Sequence, residues 1–520
     1  MAVTASSINS LKAAVIVPPI CDFYFTPHRF SCLGAKIVYQ ILLEMRINTV
    51  LFNFPLNQQQ YQLADLPKDI NYLKEYIVPN EIGKLSFFTK YKWFGPNINS
   101  CVNQILSFNP DICFFSCFAF SYSQQLFDIA DELKKTSPQI IIVVGGAGVS
   151  AYPLYFVRRN SIDFAITGEA EISLKDFIMA TFFKKIPFEN IPNLFWKKNG
   201  NIFESKIKKF TLSQEMNPII EKVFETSKNI FYSTYMSRGC SKSCQFCSAF
   251  LSFGKSFRTI NYESFINSFY KTFSYIKDTP QKTIYINFED DNFLINQKFL
   301  IDILEKIKNF SPNIKILAEN GMDYLLLTPL LADKLISLGM SKFNFTFVSI
   351  KEELVYNQKR KSSIGHFEKI VNFISEKNVP VLSYLICGLE GDNKENVVET
   401  LVFLKNLRTG IGVSIFYPIP NIEKYKNTNF FDNFSPYVFN GSSAYPWTKS
   451  LSTCELITVF RLSRFINLLK YQKKSDEEKD IINKIISKKK LFTIIKEKNK
   501  HTIIEVPKYD KEMVKMFLDK

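Results

Sequence analysis

The sequence predicts an α/β protein built as two successive units and closed by a mainly helical C-terminal extension. Three observations carry this. From residue 12 to 180, short apolar runs alternate with stretches whose apolar residues recur at helical spacing. From 231 to 420 the alternation starts again. Where it restarts stands the run Arg238-Gly239-Cys240-Ser241-Lys242-Ser243-Cys244-Gln245-Phe246-Cys247. Alternating strands and helices build parallel sheets, whose ligands gather beyond the carboxyl ends of the strands. Residues 181–230 read as a polar linker and 421–520 as the extension.

In the first unit, residues 14–17 form a strand, after which Leu33, Ile37, Val38, Ile41, Leu42 and Met45 share one helix face. Residues 50–54, 112–115 and 140–144 give three more strands, the last running into Gly145-Gly146-Ala147-Gly148. Glycines there let the backbone approach a bulky ligand, although a plain strand-to-helix turn uses them too. In the second unit, residues 283–287, 314–318, 344–348 and 381–386 read as strands and 297–309 as a helix. In the extension, Phe460, Leu462, Phe465, Ile466 and Leu469 place a helix over the mouth of the second unit. Beyond Tyr471 the lysine-rich tail reads as surface.

A chain of 520 residues, 46% hydrophobic, has ample core for two or three domains, which excludes a disordered or fibrous protein. The net charge of +16 comes from lysines spread among isoleucines and asparagines. It therefore argues for a basic surface, suited to an acidic electron donor, and against a nucleic-acid stripe. Residues 13–17 meet Pro18-Pro19 without a cleavage pattern, and the apolar run 112–120 is too short to span a bilayer. Ten cysteines without an export signal point to a reducing cytoplasm.

Thiolates at C-x3-C-x2-C spacing can hold three irons of a cubane cluster and leave the fourth open to a substrate. Structural zinc competes, but it closes with four ligands. No second cysteine pair follows, and His28, His366 and His501 are distant in sequence. With Phe246 just before the last cysteine, the run resembles the signature of the radical S-adenosylmethionine (SAM) enzymes. The resemblance implies a partial β/α barrel with a 4Fe-4S cluster on Cys240, Cys244 and Cys247. SAM would occupy the open iron and be cleaved to a 5′-deoxyadenosyl radical.

Upstream, three runs occur in order: Asp111-Ile112-Cys113-Phe114-Phe115-Ser116-Cys117-Phe118, Val144-Gly145-Gly146-Ala147-Gly148-Val149-Ser150, and Asp163-Phe164-Ala165-Ile166-Thr167-Gly168-Glu169-Ala170-Glu171. This succession resembles the Rossmann-like cobalamin-binding domain that precedes the barrel in cobalamin-dependent radical SAM enzymes. It implies that Ser116, Gly145, Gly146 and Gly148 line the slot for the cofactor's nucleotide tail. Many cobalamin proteins carry D-x-H-x-x-G after the first strand. Here the stretch from Asp22 to Gly34 contains His28 at the wrong intervals, so a cobalt without a lower nitrogen ligand is expected.

In the second unit, Glu289, Asp290 and Asp291 follow a strand directly and can accept from the ammonium and hydroxyls of SAM, although three such acids also suit a solvated turn. Glu319 is the candidate for the ribose, and Ser349 and Arg360 for the carboxylate end. Gly388-Leu389-Glu390-Gly391-Asp392 resembles the family's G-L-P-G-E-T turn beside adenine, with Glu390 and Asp392 replacing its proline and glutamate. The whole implies a cobalamin-dependent radical SAM methyltransferase acting on an unactivated carbon of a small molecule, with a flavodoxin- or ferredoxin-type donor. A radical rearrangement, cyclisation or oxidation without methyl transfer is one alternative. An RNA-modifying iron–sulfur protein is another.

Overall fold

The computed structural model describes residues 10–26, 30–56, 61–86, 90–274, 282–425, 428, 430–498 and 500–520. In the first unit the chain runs through β1 (Lys12–Val17), α1 (Leu33–Glu44), β2 (Asn48–Asn53), α2 (Ile98–Phe108), β3 (Ile112–Ser116), α3 (Ser123–Thr136), β4 (Ile141–Gly145), β5 (Phe164–Ile166) and α4 (Ala170–Phe183). The five strands are parallel, in the order β2-β1-β3-β4-β5. Their near-continuous apolar runs follow from burial on both faces, with α1 packed beside α4 and α2 beside α3. The chain leaves β1 and β3 in opposite directions along the sheet, which opens a crevice at their carboxyl ends.

The segment read as a linker is not one. Its β6 (Leu194–Lys198) and β7 (Asn201–Glu204) form a hairpin that extends the sheet antiparallel to β5. Asn199 and Gly200, at φ 52° and 76°, supply the tight turn. The same segment ends in β8 (Ile220–Glu225), which pairs with the first strand of the second unit. Lysine-rich flanks mask the buried Phe195 and Trp196 that anchor the hairpin.

The second unit contains β9 (Asn229–Thr234), α5 (Tyr262–Phe273), β10 (Thr283–Phe288), α6 (Gln297–Phe310), β11 (Ile314–Leu317), α7 (Pro329–Ser337), β12 (Phe343–Val348), α8 (Ile364–Glu376), β13 (Val381–Cys387), α9 (Lys394–Asn406) and β14 (Gly410–Ile415). Strands β9, β10 and β11 are parallel neighbours, as are β12, β13 and β14. Bridges Ile316–Met340 and Met322–Phe345 join the two sets into a partial barrel.

The extension opens with α10 (Thr453–Lys470), started by a Ser452/Glu455 capping box. It packs on β14, where the Asn467 side chain accepts from the Ile411 N–H at 2.8 Å and donates to its carbonyl at 2.9 Å. That amide satisfies the barrel's last edge as a neighbouring strand would. The lysine-rich tail also folds, contrary to the surface reading, as α11 (Asp476–Lys488), β15 (Phe492–Glu497), β16 (Lys500–Glu505) and α12 (Lys511–Asp519). Ile481, Ile485, Met513, Val514 and Phe517 are buried, and β15 pairs with Glu81–Ile82 of the first unit. Among the described residues, no helix is long and apolar enough to cross a membrane.

Candidate functional site

The cysteine run is held by backbone geometry and by acids from the neighbouring strand. After β9, Ser237–Arg238 pairs antiparallel with Arg258–Thr259, and the chain then turns at Gly239 with φ 84°. A Cβ at Gly239 would press into the Ser256 carbonyl oxygen, so only glycine fits. Asp290, just past β10, accepts from the Ser237 hydroxyl and the Met236 N–H, and Asp291 accepts from the Gly239 N–H at 2.9 Å. Burial pushes the Asp290 carboxyl up to about 7 against those hydrogen bonds, and burial raises Asp291 as well. These two acids therefore grip the loop that presents the thiols.

Cys240, Cys244 and Cys247 are free thiols; Cys244 is buried and the others are partly exposed. The Asn292 amide lies 3.9 Å from Cys240 Sγ and the Arg360 guanidinium 3.8 Å from Cys244 Sγ. Arg360 is itself tied to Thr346 at 2.6 Å and Asp323 at 3.5 Å, and Asp323 also pairs with Lys242. Nitrogen donors aimed at sulfur stabilise thiolate and cluster charge and tune cluster potential. Among the described residues, no three His, Cys, Asp or Glu side chains converge on a single ion position. A cubane takes each thiolate on a separate iron and needs no such point. The donor set fits a three-cysteine cluster.

The remaining residues proposed for SAM are spread around the same barrel end. Glu319 follows β11, and its carboxylate lies 3.4 Å from Lys342. Ser349, after β12, shares a 3.3 Å hydrogen bond with Thr400 and accepts from the Lys351 N–H. Gly388, after β13 at φ 81°, donates to Asp392 at 3.0 Å and accepts from the Thr448 hydroxyl at 2.9 Å. Phe246, in the cysteine loop, packs with Val348, Leu389, Ile386 and Phe416. That small apolar cluster ties the loop to the ends of β12 and β13.

A cavity of about 320 Å³ lies between the two units. The first unit lines it with the ends of β1, β3, β4 and β5 and the start of α1, including Ser116, Gly145 and Gly146. The barrel lines it with Ser237, Arg238, Glu289, Asp291 and Asn320. Its walls are chiefly apolar, as with Val15, Phe114 and Leu174, and both units add polar groups, Ser116, Glu169 and Glu171 from the first and Ser237, Arg238, Glu289 and Asp291 from the barrel. This suits a mostly apolar ligand with a polar fringe, as the edge of a cobalamin's corrin ring would be. Gly146 and Gly148 also serve the packing of the wall itself. A Cβ on Gly146, at φ 100°, would lie 2.6 Å from the Cys117 carbonyl oxygen, and one on Gly148 would lie 2.7 Å from the Ala119–Phe120 backbone. They let two loops of the sheet edge press together, which shapes the wall. His28 lies outside the described residues.

Sequence reasoning missed the charges that join the units. Arg238, two residues before Cys240, donates to Glu169 at 2.8 Å, Glu171 at 2.9 Å and the Tyr235 hydroxyl at 2.8 Å. Glu169 also accepts from Arg258 at 2.9 Å and from the N–H and hydroxyl of Thr211. Burial works against the Glu169 charge, but Arg238 and the Thr211 hydrogen bonds hold its carboxyl below the usual range. Glu221 of β8 accepts from the Cys32 N–H at 3.1 Å, at the start of α1. The signal available in the sequence was the Gly168-Glu169-Ala170-Glu171 turn itself, whose acids require a buried cation.

Comparison with known proteins agrees with this geometry. Residues 94–178 match the B12 binding domain family and residues 234–404 the Radical SAM superfamily. An uncharacterised methyltransferase of Pyrococcus horikoshii is 28% identical over 212 residues, covering 39% of this chain and 44% of the relative. The hopanoid C-3 methylase of Methylococcus capsulatus is 20% identical, covering 62% of each chain. The chain thus spans about half the length of the curated relatives it matches. Among solved structures, the radical SAM methyltransferase TsrM of Kitasatospora setae superposes with a TM-score of 0.57 at 12% identity, over 79% of this chain and 74% of that one. This last likeness concerns the fold.

Proposed function

We propose that this chain, which carries a B12 binding domain followed by a Radical SAM domain, is a cobalamin-dependent radical SAM enzyme that methylates an unactivated carbon of a small molecule. One observation carries the reading. The cavity at the carboxyl edge of the first sheet is walled on its other side by Ser237, Arg238 and Asp291, the residues that present and grip the cysteine loop. The two cofactor sites of this reading are therefore neighbours across that wall. The names of the two relatives, both methyl-transferring, support the same outcome.

When bound, the cluster would supply the electron that splits SAM to a deoxyadenosyl radical, and the cobalamin would carry a methyl group from a second SAM. The protein's own residues do the rest. Cys240, Cys244 and Cys247 hold the cluster, with Asp290 and Asp291 fixing their loop. Arg360 and Ser349 are our candidates for the SAM carboxylate end, Glu319 for the ribose and the Gly388 backbone for the adenine side. Ser116 and the wall shaped by Gly145, Gly146 and Gly148 would take the nucleotide tail. Each turnover consumes two electrons, which we assign to a low-potential flavodoxin or ferredoxin drawn to the basic surface. All ten cysteines are free thiols, which supports a reducing cytoplasm.

The test uses the reconstituted full chain, hydroxocobalamin, reductant and SAM labelled in its methyl group. Formation of both 5′-deoxyadenosine and S-adenosylhomocysteine, with label entering the product, is the expected result. Deoxyadenosine with a label-free product would replace methylation by a radical rearrangement or oxidation.

A further inference from the structure

We propose that Glu171 and Glu289 read the amide fringe of the corrin ring and make the cavity selective against corrinoids that carry a carboxylate in place of an amide. This rests on the reading that the cavity takes cobalamin. Both side chains line that cavity. Each has one buried carboxylate oxygen without a hydrogen-bond partner, Oε2 of Glu171 and Oε1 of Glu289, although the Ser31, Ser233 and Asn287 side chains stand beside the Glu289 carboxyl. The Glu171 side chain is only 4% exposed, and its other oxygen is taken by Arg238. A buried acceptor left open in this way is costly unless a ligand supplies the donor.

The chemistry of the missing donor follows from the lining. Glu169, Glu171, Glu289 and Asp291 line the space. Among the described residues, Arg238 is the only cationic group on the wall, and it is already held by Glu169, Glu171 and Tyr235. The wall thus offers acceptors and little positive charge. A corrin edge lined with primary amides supplies N–H donors of the kind these acceptors lack. The same edge hydrolysed to a carboxylate would set like charges together in a dry site, losing a charged hydrogen bond and gaining a repulsion.

The experiment measures binding of hydroxocobalamin and of its b-, d- and e-monocarboxylic acids to the cluster-reconstituted full chain, by equilibrium dialysis read through corrin absorbance. Wild-type protein is expected to bind at least one monocarboxylate about tenfold or more weaker than the parent, the size of one lost charged hydrogen bond. In Glu171→Gln or Glu289→Gln that gap should close to about threefold or less, because an amide side chain no longer repels the acid. Should Glu171→Gln fail to fold through loss of its Arg238 pair, as thermal melting would reveal, Glu289→Gln decides alone. Equal affinity of wild type for all four corrinoids overturns the proposal. So does a gap that persists unchanged in the folded variants. Failure of wild type to bind hydroxocobalamin at all would instead sink the cobalamin reading beneath it.

Discussion

Arg238 and Glu169 form an ion pair at 2.8 Å with side chains 5% and 0% exposed, and it crosses from the cluster loop of one unit to the last sheet turn of the other. Removing one member of a buried pair leaves the other charged in a dry place, which costs about 3–5 kcal/mol. Arg238→Met should therefore destabilise the full chain by about that amount in denaturant titration. The double variant with Glu169→Gln should cost less than the two singles summed, because each single strands the same charge. Additive losses would show that the pair does not couple the units.

The three thiols should separate from the cobalamin site. Alanine at Cys240, Cys244 or Cys247 removes one cluster ligand while leaving the wall at Ser116 and Gly145 untouched. Iron content and charge-transfer absorbance should fall to background in each variant, with hydroxocobalamin affinity unchanged within about threefold, a free-energy change under about 0.7 kcal/mol. Retained iron in any one of them would remove that cysteine from the ligand set.

Two glycines should divide the cofactors in the opposite sense. Gly146, at φ 100° and ψ 178°, occupies backbone space open only to glycine, and its Cβ would meet the Cys117 carbonyl. Such strain is worth about 1–3 kcal/mol. Gly146→Ala should move the cavity wall and weaken hydroxocobalamin binding by about tenfold with iron content intact. Gly239→Ala should do the reverse, emptying the cluster site first. Cofactor ratios in the purified variants measure both.

What the sequence disclosed was local. The cysteine spacing, the glycines after β4 and the apolar runs of the parallel strands each lie within about a dozen residues, and each appears in the structure where expected. What stayed hidden was set by partners remote in the chain. Arg238 and Glu169 stand 69 residues apart, Cys32 and Glu221 stand 189 apart, and Arg461 and Glu81, paired at 2.9 Å in the core, stand 380 apart. The tail escaped for the same reason. Its buried Ile481 and Ile485 are spaced for a helix, but lysines surround them and the strand that pairs with its hairpin lies at Glu81–Ile82. Asp290 and Asp291 were legible as acids at a strand end, while their grip on the cysteine loop was not.

Asp290 should also write itself into the pH dependence of stability. Burial raises its carboxyl from 3.8 to about 7, so the folded state holds a proton that the unfolded state has released between those values. Stability then falls as pH rises across that window, by at most about 1.4 kcal/mol per pH unit for one group. Asp290→Asn cannot titrate, so its stability should vary less than wild type between pH 4.5 and 7, with the wild-type profile falling relative to it as the pH rises. The amide still offers an oxygen to the Ser237 hydroxyl or the Met236 N–H, but not two equivalent ones. Some loosening of the cysteine loop is therefore expected at every pH, read as slower cluster reconstitution. Parallel profiles for the two proteins would show that Asp290 is ionised in the fold throughout, and that its hydrogen bonds from Ser237 and Met236 outweigh its burial.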